Sequence, residues 1–403
     1  MCKKIMVLGG GENQLPLIKK AKEFDYKVVL CDFDPNCSGR QFCDVFCEVS
    51  IKDEKSLLRV AKNENIDGVV TNSEPVLHIV SRITEQLHLP SVPEEVMCRY
   101  TNKNLMRDCV EAAGYNNVDY RKCQTLDEAV SFYEAMGQRK AIIKPVDNSS
   151  SRGVHSISTM EELLEYFPMA KSANRRGQEV LIEEYIDGTE FTVDGICVNG
   201  KHTTLAISKK KHFSYNENVA YELRFAHCDD QYDYDALRSY NDKIIMSAGL
   251  TYGMTHSEYK YSEGKFHLIE ACARGGGAFI ATCIVPWLSG IDNVGTLVQC
   301  AVGDTIDSRI EVGPESKKKT AVLRFFSTPD DMAGVVHKIE GVEKILSIPQ
   351  IVKFRLNFRE GDYIKRAEDD SERIGYYIAL ADSEEELDSV IEKVEQCFKI
   401  NFV

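Results

Sequence analysis

Over the first hundred residues, short apolar runs alternate with segments of helical length, and this alternation restricts the fold more than any other feature of the chain. Ile5–Leu8 is an apolar run ending in Gly9-Gly10-Gly11, and a helical stretch, Leu15–Phe24, leads to a second strand, Lys27–Asp32. Ser56–Glu64 reads as a helix, Gly68–Thr71 as a strand and Pro75–Gln86 as another helix. Strands separated by helices of this length imply a parallel sheet with right-handed crossovers, so the segment reads as an α/β unit. Pro90 and Pro93 then break the pattern and mark a boundary.

Helix Lys103–Ala112, strand Ala141–Lys144, strand Val154–Ser158, helix Met160–Phe167 and strand Val180–Glu184 follow. From Glu190 to about Ile269 the signals are mainly β (Phe191–Val198, Thr203–Ser208, Phe266–Ile269), with one helix around Tyr234–Ala248. Beyond Lys317-Lys318-Lys319 come short strands and a closing amphipathic helix, Ser383–Phe398. A chain of 403 residues suits two or three domains, and the expected divisions are 1–100, 101–305 and 306–403.

A formal charge of −14 argues against non-specific binding to nucleic acid or anionic membranes, though it leaves room for a local basic phosphate pocket. The fourteen cysteines show no paired CxxC at zinc-ribbon spacing and read as reduced thiols. Met1-Cys2-Lys3-Lys4 leads directly into a strand rather than a secretory signal, and no apolar run approaches the ~20 residues of a membrane span. A cytoplasmic protein is expected.

Gly9–Gly11 between a strand and a helix invites a dinucleotide-binding reading, with Asp32 placed as a ribose acid would be. The full glycine spacing would need a glycine where Gln14 stands. The signal is weak.

Stronger chemistry begins at Ile142-Ile143-Lys144-Pro145, where a strand holds a lysine fit to neutralise phosphate oxygens. Asn148-Ser149-Ser150-Ser151-Arg152-Gly153 follows, a run of small donors suited to wrap a triphosphate. Leu181-Ile182-Glu183-Glu184-Tyr185-Ile186 reads as a hinge for an adenine edge, and Glu190 as a ribose acid. Glu258 and Glu270 lie in β-like segments joined by the turn Tyr261–Lys265, so a hairpin brings two hard oxygen ligands together for Mg²⁺. Arg274 stands just beyond, able to stabilise charge in phosphoryl transfer.

In this order and spacing the chain resembles the ATP-grasp superfamily over nearly its whole length, and within it the carboxylate–amine ligases that include L-amino acid ligases. The resemblance implies an ATP-grasp fold: a Rossmann-like parallel-sheet domain, an α+β ATP-binding part and a small C-terminal domain. It implies ATP as substrate with Mg²⁺ or Mn²⁺. Lys103 and Lys144 match the family's two nucleotide-phosphate lysines, Ser149–Gly153 its flexible flap, Glu183–Ile186 its hinge, Glu190 its ribose acid, and Glu258 and Glu270 its metal pair. The implied reaction activates a small carboxylate as an acyl phosphate, passes it to an amine and releases ADP and phosphate, with Arg274 and Lys144 as catalytic cations. Homodimers are common among similar ligases. One departure is Cys272, at a position where the family often has a metal-binding asparagine; a thiol suits hard Mg²⁺ poorly. The alternatives are a bicarbonate-using or purine-pathway enzyme of the same superfamily and a non-catalytic ATP-binding protein. Arg224, His212, Lys209, Arg324 and Arg355 are candidate carboxylate-binding cations.

Overall fold

The computed structural model describes residues 2–115, 118–147, 153–175, 177–307, 309–329 and 332–403. Strands Lys4–Leu8, Lys27–Asp32, Val45–Glu48 and Gly68–Val70 form the expected parallel sheet, in the order third, second, first, fourth. Alternate residues of the first strand enter different cores. Ile5 and Val7 share one with helix Leu15–Glu23 and with helix Asn293–Ala301, which comes from much later in the chain. Met6 and Leu8 share the other with helices Glu54–Glu64 and Leu77–Gln86. Burial on both faces is why these strands read as continuous apolar runs.

Two local expectations change. The segment Pro75–Gln86 is not one helix: Glu74–Val76 makes a 3₁₀ turn, with Pro75 in its first turn, before the α-helix begins at Leu77. The corner holds Glu74 at the end of the parallel sheet. The glycine loop also has a different task. Asp32 accepts hydrogen bonds from Gly10 N at 2.6 Å and Asp34 N at 2.8 Å, and Gly39 N donates to Gly10 O at 2.7 Å. The supposed ribose acid is thus engaged in holding its own loop closed.

Two antiparallel sheets follow. The smaller contains Tyr120–Cys123, Val180–Glu184, Ala141–Pro145 and His155–Ile157, in that spatial order, and carries helices Leu126–Ala135 and Met160–Ser172 on its own core. Both helices begin with a threonine capping box, at Thr125 and Thr159. The larger has eight strands: Lys265–Cys272, Gly253–Ser262, Thr189–Val198, Lys201–Phe213, Asn216–Ala226, Thr320–Phe325, Gly375–Ala381 and Ile351–Leu356. The strand expected at Thr203–Ser208 runs on to Phe213. Its lysines pair with acids on both faces, to Asp229, Glu222 and Glu190, so charge does not end the strand.

The last three strands of this sheet bring the C-terminal part against the middle of the chain. Helix Glu384–Cys397, capped by Ser383, covers them through Leu387, Val390 and Val394. A small sheet of Tyr363–Ile364, Gly334–Glu340 and Lys399–Phe402 completes the fold. The fourteen cysteines are free thiols, and among the described residues no helix is long and apolar enough to cross a membrane.

Gly68 shows how tightly the parallel sheet is docked. A Cβ there would lie 2.0 Å from the carbonyl oxygen of Ala301, and neither backbone can yield easily. Gly68→Ala is therefore expected to lower the thermal unfolding midpoint by about 1–4 °C, from an overpacking cost of roughly 1–3 kcal/mol. Gly313→Ala, where a Cβ meets open space, should leave the midpoint within about 1 °C of the parent. Calorimetry of the two variants checks this.

Candidate active site

The hairpin of Gly253–Ser262 and Lys265–Cys272 places Glu258 directly opposite Glu270 in the antiparallel register, with a bulge just after Glu258. Each carboxylate is held by a lysine. Lys210 Nζ lies 3.2 Å from Glu258, and Lys103 Nζ lies 2.6 Å from Glu270. Burial alone would raise the Glu258 pKa, but Lys210 and His256 outweigh it and hold the group well below the usual carboxylate range. Burial likewise opposes the Lys103 charge, and Glu270 more than restores it.

Helix Lys103–Ala112 presents Lys103 from its first turn, where Asn102 caps the chain by accepting from Asn104 N and Leu105 N. Strand Ala141–Pro145 presents Lys144 from its end, ion-paired with Glu183 of the neighbouring strand. Glu183 also meets Arg107 at 3.0 Å, and the Arg107 side chain is fully buried. Burial, resisted by Glu183 and helped by Arg107 and Lys103, pushes the Lys144 pKa below its ordinary value. Two buried cations, Lys144 and Arg107, thus share one carboxylate.

Within the hinge, Glu184 N donates to Asp119 O at 2.8 Å and Tyr185 N to Lys140 O at 3.2 Å. The Tyr185 ring lies between Lys140 at 3.7 Å and Lys260 at 4.6 Å. Ile186 follows directly on the same segment. Glu190 pairs with Lys210 and with His212 Nε2 at 3.2 Å. Gly153 has φ +76° at the end of the serine loop, whereas Ser149, Ser150 and Ser151 lie outside the described residues.

Arg274 grips Glu74 through Nε at 3.2 Å and Nη2 at 3.1 Å. Cys272 donates to the same Glu74 oxygen at 3.6 Å, and burial pushes its thiol pKa well above the ordinary value. The ligand atoms of Glu74, Glu270 and Cys272 lie within 4.8 Å of one another, so the neutral thiol sits among carboxylates. Two adjoining cavities, of about 390 and 410 Å³, share Lys210, Glu258, Arg274, Asp370 and Arg373 as walls, and Glu74, Glu190 and Glu270 line the second.

Several of these residues escaped the sequence reading. Lys210 is hidden in Lys209-Lys210-Lys211, a run that looks solvated. Strand alternation is the available signal: it turns Lys210 toward Glu190 and Glu258, and Lys209 and Lys211 to Asp229 and Glu222. Glu74 is masked by Pro75, and Asp370 and Arg373 arrive from the C-terminal part without a local signature. Of the five proposed carboxylate-binding cations only His212 lines a cavity of this site. Arg224 is bound by Glu384 and Asp388, Lys209 by Asp229, Arg324 by Glu222 and Glu395, and Arg355 by Glu12.

The chain is similar to several known proteins. Residues 138–282 match the ATP-grasp domain family, and residues 324–403 match the L-amino acid ligase C-terminal domain 2 family. The uncharacterised protein y4rH of Sinorhizobium fredii is 26% identical over 83% of this chain and 68% of its own length. Dapdiamide A synthase of Enterobacter agglomerans is 22% identical over 82% of this chain and 78% of its own. The crystal structure of an L-amino acid ligase from Bacillus licheniformis superposes with a TM-score of 0.79 at 21% identity, covering 100% of this chain and 99% of that one. The fold is ATP-grasp, and the chain is built to bind ATP.

His256 lies beneath the site, its Nδ1 3.0 Å from Asp194 and its Nε2 3.8 Å from Glu258. Burial would lower its pKa, but Asp194 outweighs burial and carries it up to about 9. A folded-state pKa above the unfolded value contributes stability that is complete below about pH 6.5 and is lost as pH rises through 9. Metal- and nucleotide-free protein should therefore lose unfolding midpoint between pH 6.5 and 9.5, and His256→Gln should flatten that decline. Midpoints measured across this window decide it; parallel slopes for the two proteins would contradict the assignment.

Proposed function

We propose that this chain, an ATP-grasp ligase of the carboxylate–amine, L-amino-acid-ligase-like branch, uses Mg-ATP to join a small carboxylate to an amine as an amide. The observation that carries the reading is Glu258 facing Glu270 in one chamber with Lys210 and Arg274, with Lys103 paired to Glu270. Two carboxylates on facing strands suit a hard divalent cation, while the neutral Cys272 thiol suits one poorly. Glu258 and Glu270 would hold Mg²⁺. Bound there, it supplies charge neutralisation at the nucleotide phosphates.

The chemistry takes two steps. A carboxylate oxygen attacks the γ-phosphorus of ATP, ADP leaves, and an acyl phosphate remains. The amine then attacks the acyl carbon, phosphate leaves, and the amine gives up a proton. Every cation required is already inside the protein, each restrained by an acid. On nucleotide binding Lys103 exchanges Glu270 for a phosphate oxygen and Lys144 exchanges Glu183, while Arg274 turns from Glu74 to the charge growing on the transferred phosphoryl group. Glu184–Ile186 would receive the adenine, Glu190 the ribose, and the segment through Ser149, Ser150, Ser151 and Gly153 would cover the phosphates. Such closure excludes the water that would hydrolyse the intermediate. No residue needs to act as a covalent nucleophile.

The match of the C-terminal part to an L-amino acid ligase domain favours an organic carboxylate over bicarbonate as the activated acid.

The test is a screen of carboxylates for ADP release with hydroxylamine as the acceptor, in which a hydroxamate identifies the activated acid. Glu270→Ala should lower that turnover on the order of a hundredfold or more. Full activity in this variant would overturn the metal assignment, and ATP binding without any hydroxamate would favour a non-catalytic role.

A further inference from the structure

Beyond the reacting cavity lies a larger one, of about 1010 Å³, between helix Leu15–Glu23, strand Ile351–Leu356 and the segment Phe279–Val294. Phe279 and Thr282 line both cavities and form the wall between them. The wall is unusual backbone. Ala278 and Phe279 are consecutive left-handed residues, with φ of +47° and +62°, and they run directly into a π-helical turn, Ile280–Ile284. A bulky residue held at positive φ beside a cavity, followed by a π turn, is the kind of strain that function maintains.

The charges of the second cavity leave an unbalanced cation. Its carboxylates Glu12, Glu23 and Asp292 are engaged by Arg355 and Lys20. Lys353 has no carboxylate within ion-pair distance among the described residues. Its ammonium rests on the Phe279 ring, 4.5 Å from the centroid. Lys19 is in the same position, resting on Phe42 at 5.1 Å. Both line the cavity.

The order in space supplies the occupant. The chamber with Glu270 and Glu190 shares Lys210, Glu258 and Arg274 with the cavity of about 390 Å³, whereas the large cavity meets that cavity at Phe279 and Thr282. An amine that attacks an acyl phosphate must approach from the side the nucleotide does not fill, and about 390 Å³ leaves little room for a second substrate beside the first. We propose that the second cavity receives the tail of the amine substrate, that this tail is anionic, and that Lys353 binds it across the Phe279 wall. The proposal rests on the ligase reading above. It adds the acceptor's chemical class: an amine carrying a distal carboxylate or another anion.

The test uses the acid found by the hydroxamate screen and three amines that differ only in tail charge: L-glutamate, L-glutamine and L-lysine. The parent protein should prefer them in that order by kcat/KM. Lys353→Glu should lower kcat/KM for glutamate roughly tenfold and raise it for lysine, through reversal of a charge at contact distance. Lys353→Arg should keep the parent order. Lys19→Glu, on a different element, should shift the glutamate-to-lysine ratio in the same direction. If hydroxamate forms but the ratio is the same in parent, Lys353→Glu and Lys19→Glu, the tail assignment fails while the ligase reading stands. If no acid gives hydroxamate, both fall.

Discussion

Each cation of the site is held by a carboxylate before any substrate arrives: Lys103 by Glu270, Lys210 by Glu258 and Glu190, Lys144 by Glu183, and Arg274 by Glu74. An unpaired charge at this depth would cost several kcal/mol, so the chain cannot bury these cations without burying acids beside them. The acids come from three separate parts of the fold. Glu74 belongs to the parallel sheet's last corner, Glu183 to the small antiparallel sheet, and Glu190, Glu258 and Glu270 to the large one. Arg274–Glu74 and Lys103–Glu270 join separate parts of the fold, whereas Lys144–Glu183 and the pairs of Lys210 each lie within one sheet. Under the proposed mechanism, nucleotide binding requires partner exchange rather than the creation of new charge.

How much of this was legible depended on whether a signal was local. Glu258 and Glu270 could be placed together because a turn between two alternating segments defines a hairpin, and a hairpin defines who faces whom. Lys103 and Lys144 stood at element ends that capping and proline signals mark. Lys210 was lost because three adjacent lysines look alike until a strand separates them by face. Glu74, Asp370 and Arg373 become part of the site only when distant segments dock, and nothing in their own neighbourhoods announces it. Asp32 erred in the opposite direction: its position at a strand end imitates a ribose acid, while its oxygens are occupied by the backbone of the adjacent loop.

The same contrast explains the two cavities. The reacting one is walled by groups that pair with each other, so it is charged and nearly neutral at once. The larger one is walled by a strained Phe279 and by two lysines, Lys19 and Lys353, that pair with no acid among the described residues. A ligase for two organic substrates needs both kinds of space, one that stabilises transferred charge and one that selects what arrives.

The central claim is that a substrate carboxylate takes the γ-phosphoryl group, and oxygen-18 transfer tests it most directly. With both carboxylate oxygens of the activated acid labelled, one label should appear in the inorganic phosphate released with each amide formed, and the nucleotide product should be ADP. Label found in AMP, or phosphate released without label, would contradict an acyl phosphate at this site.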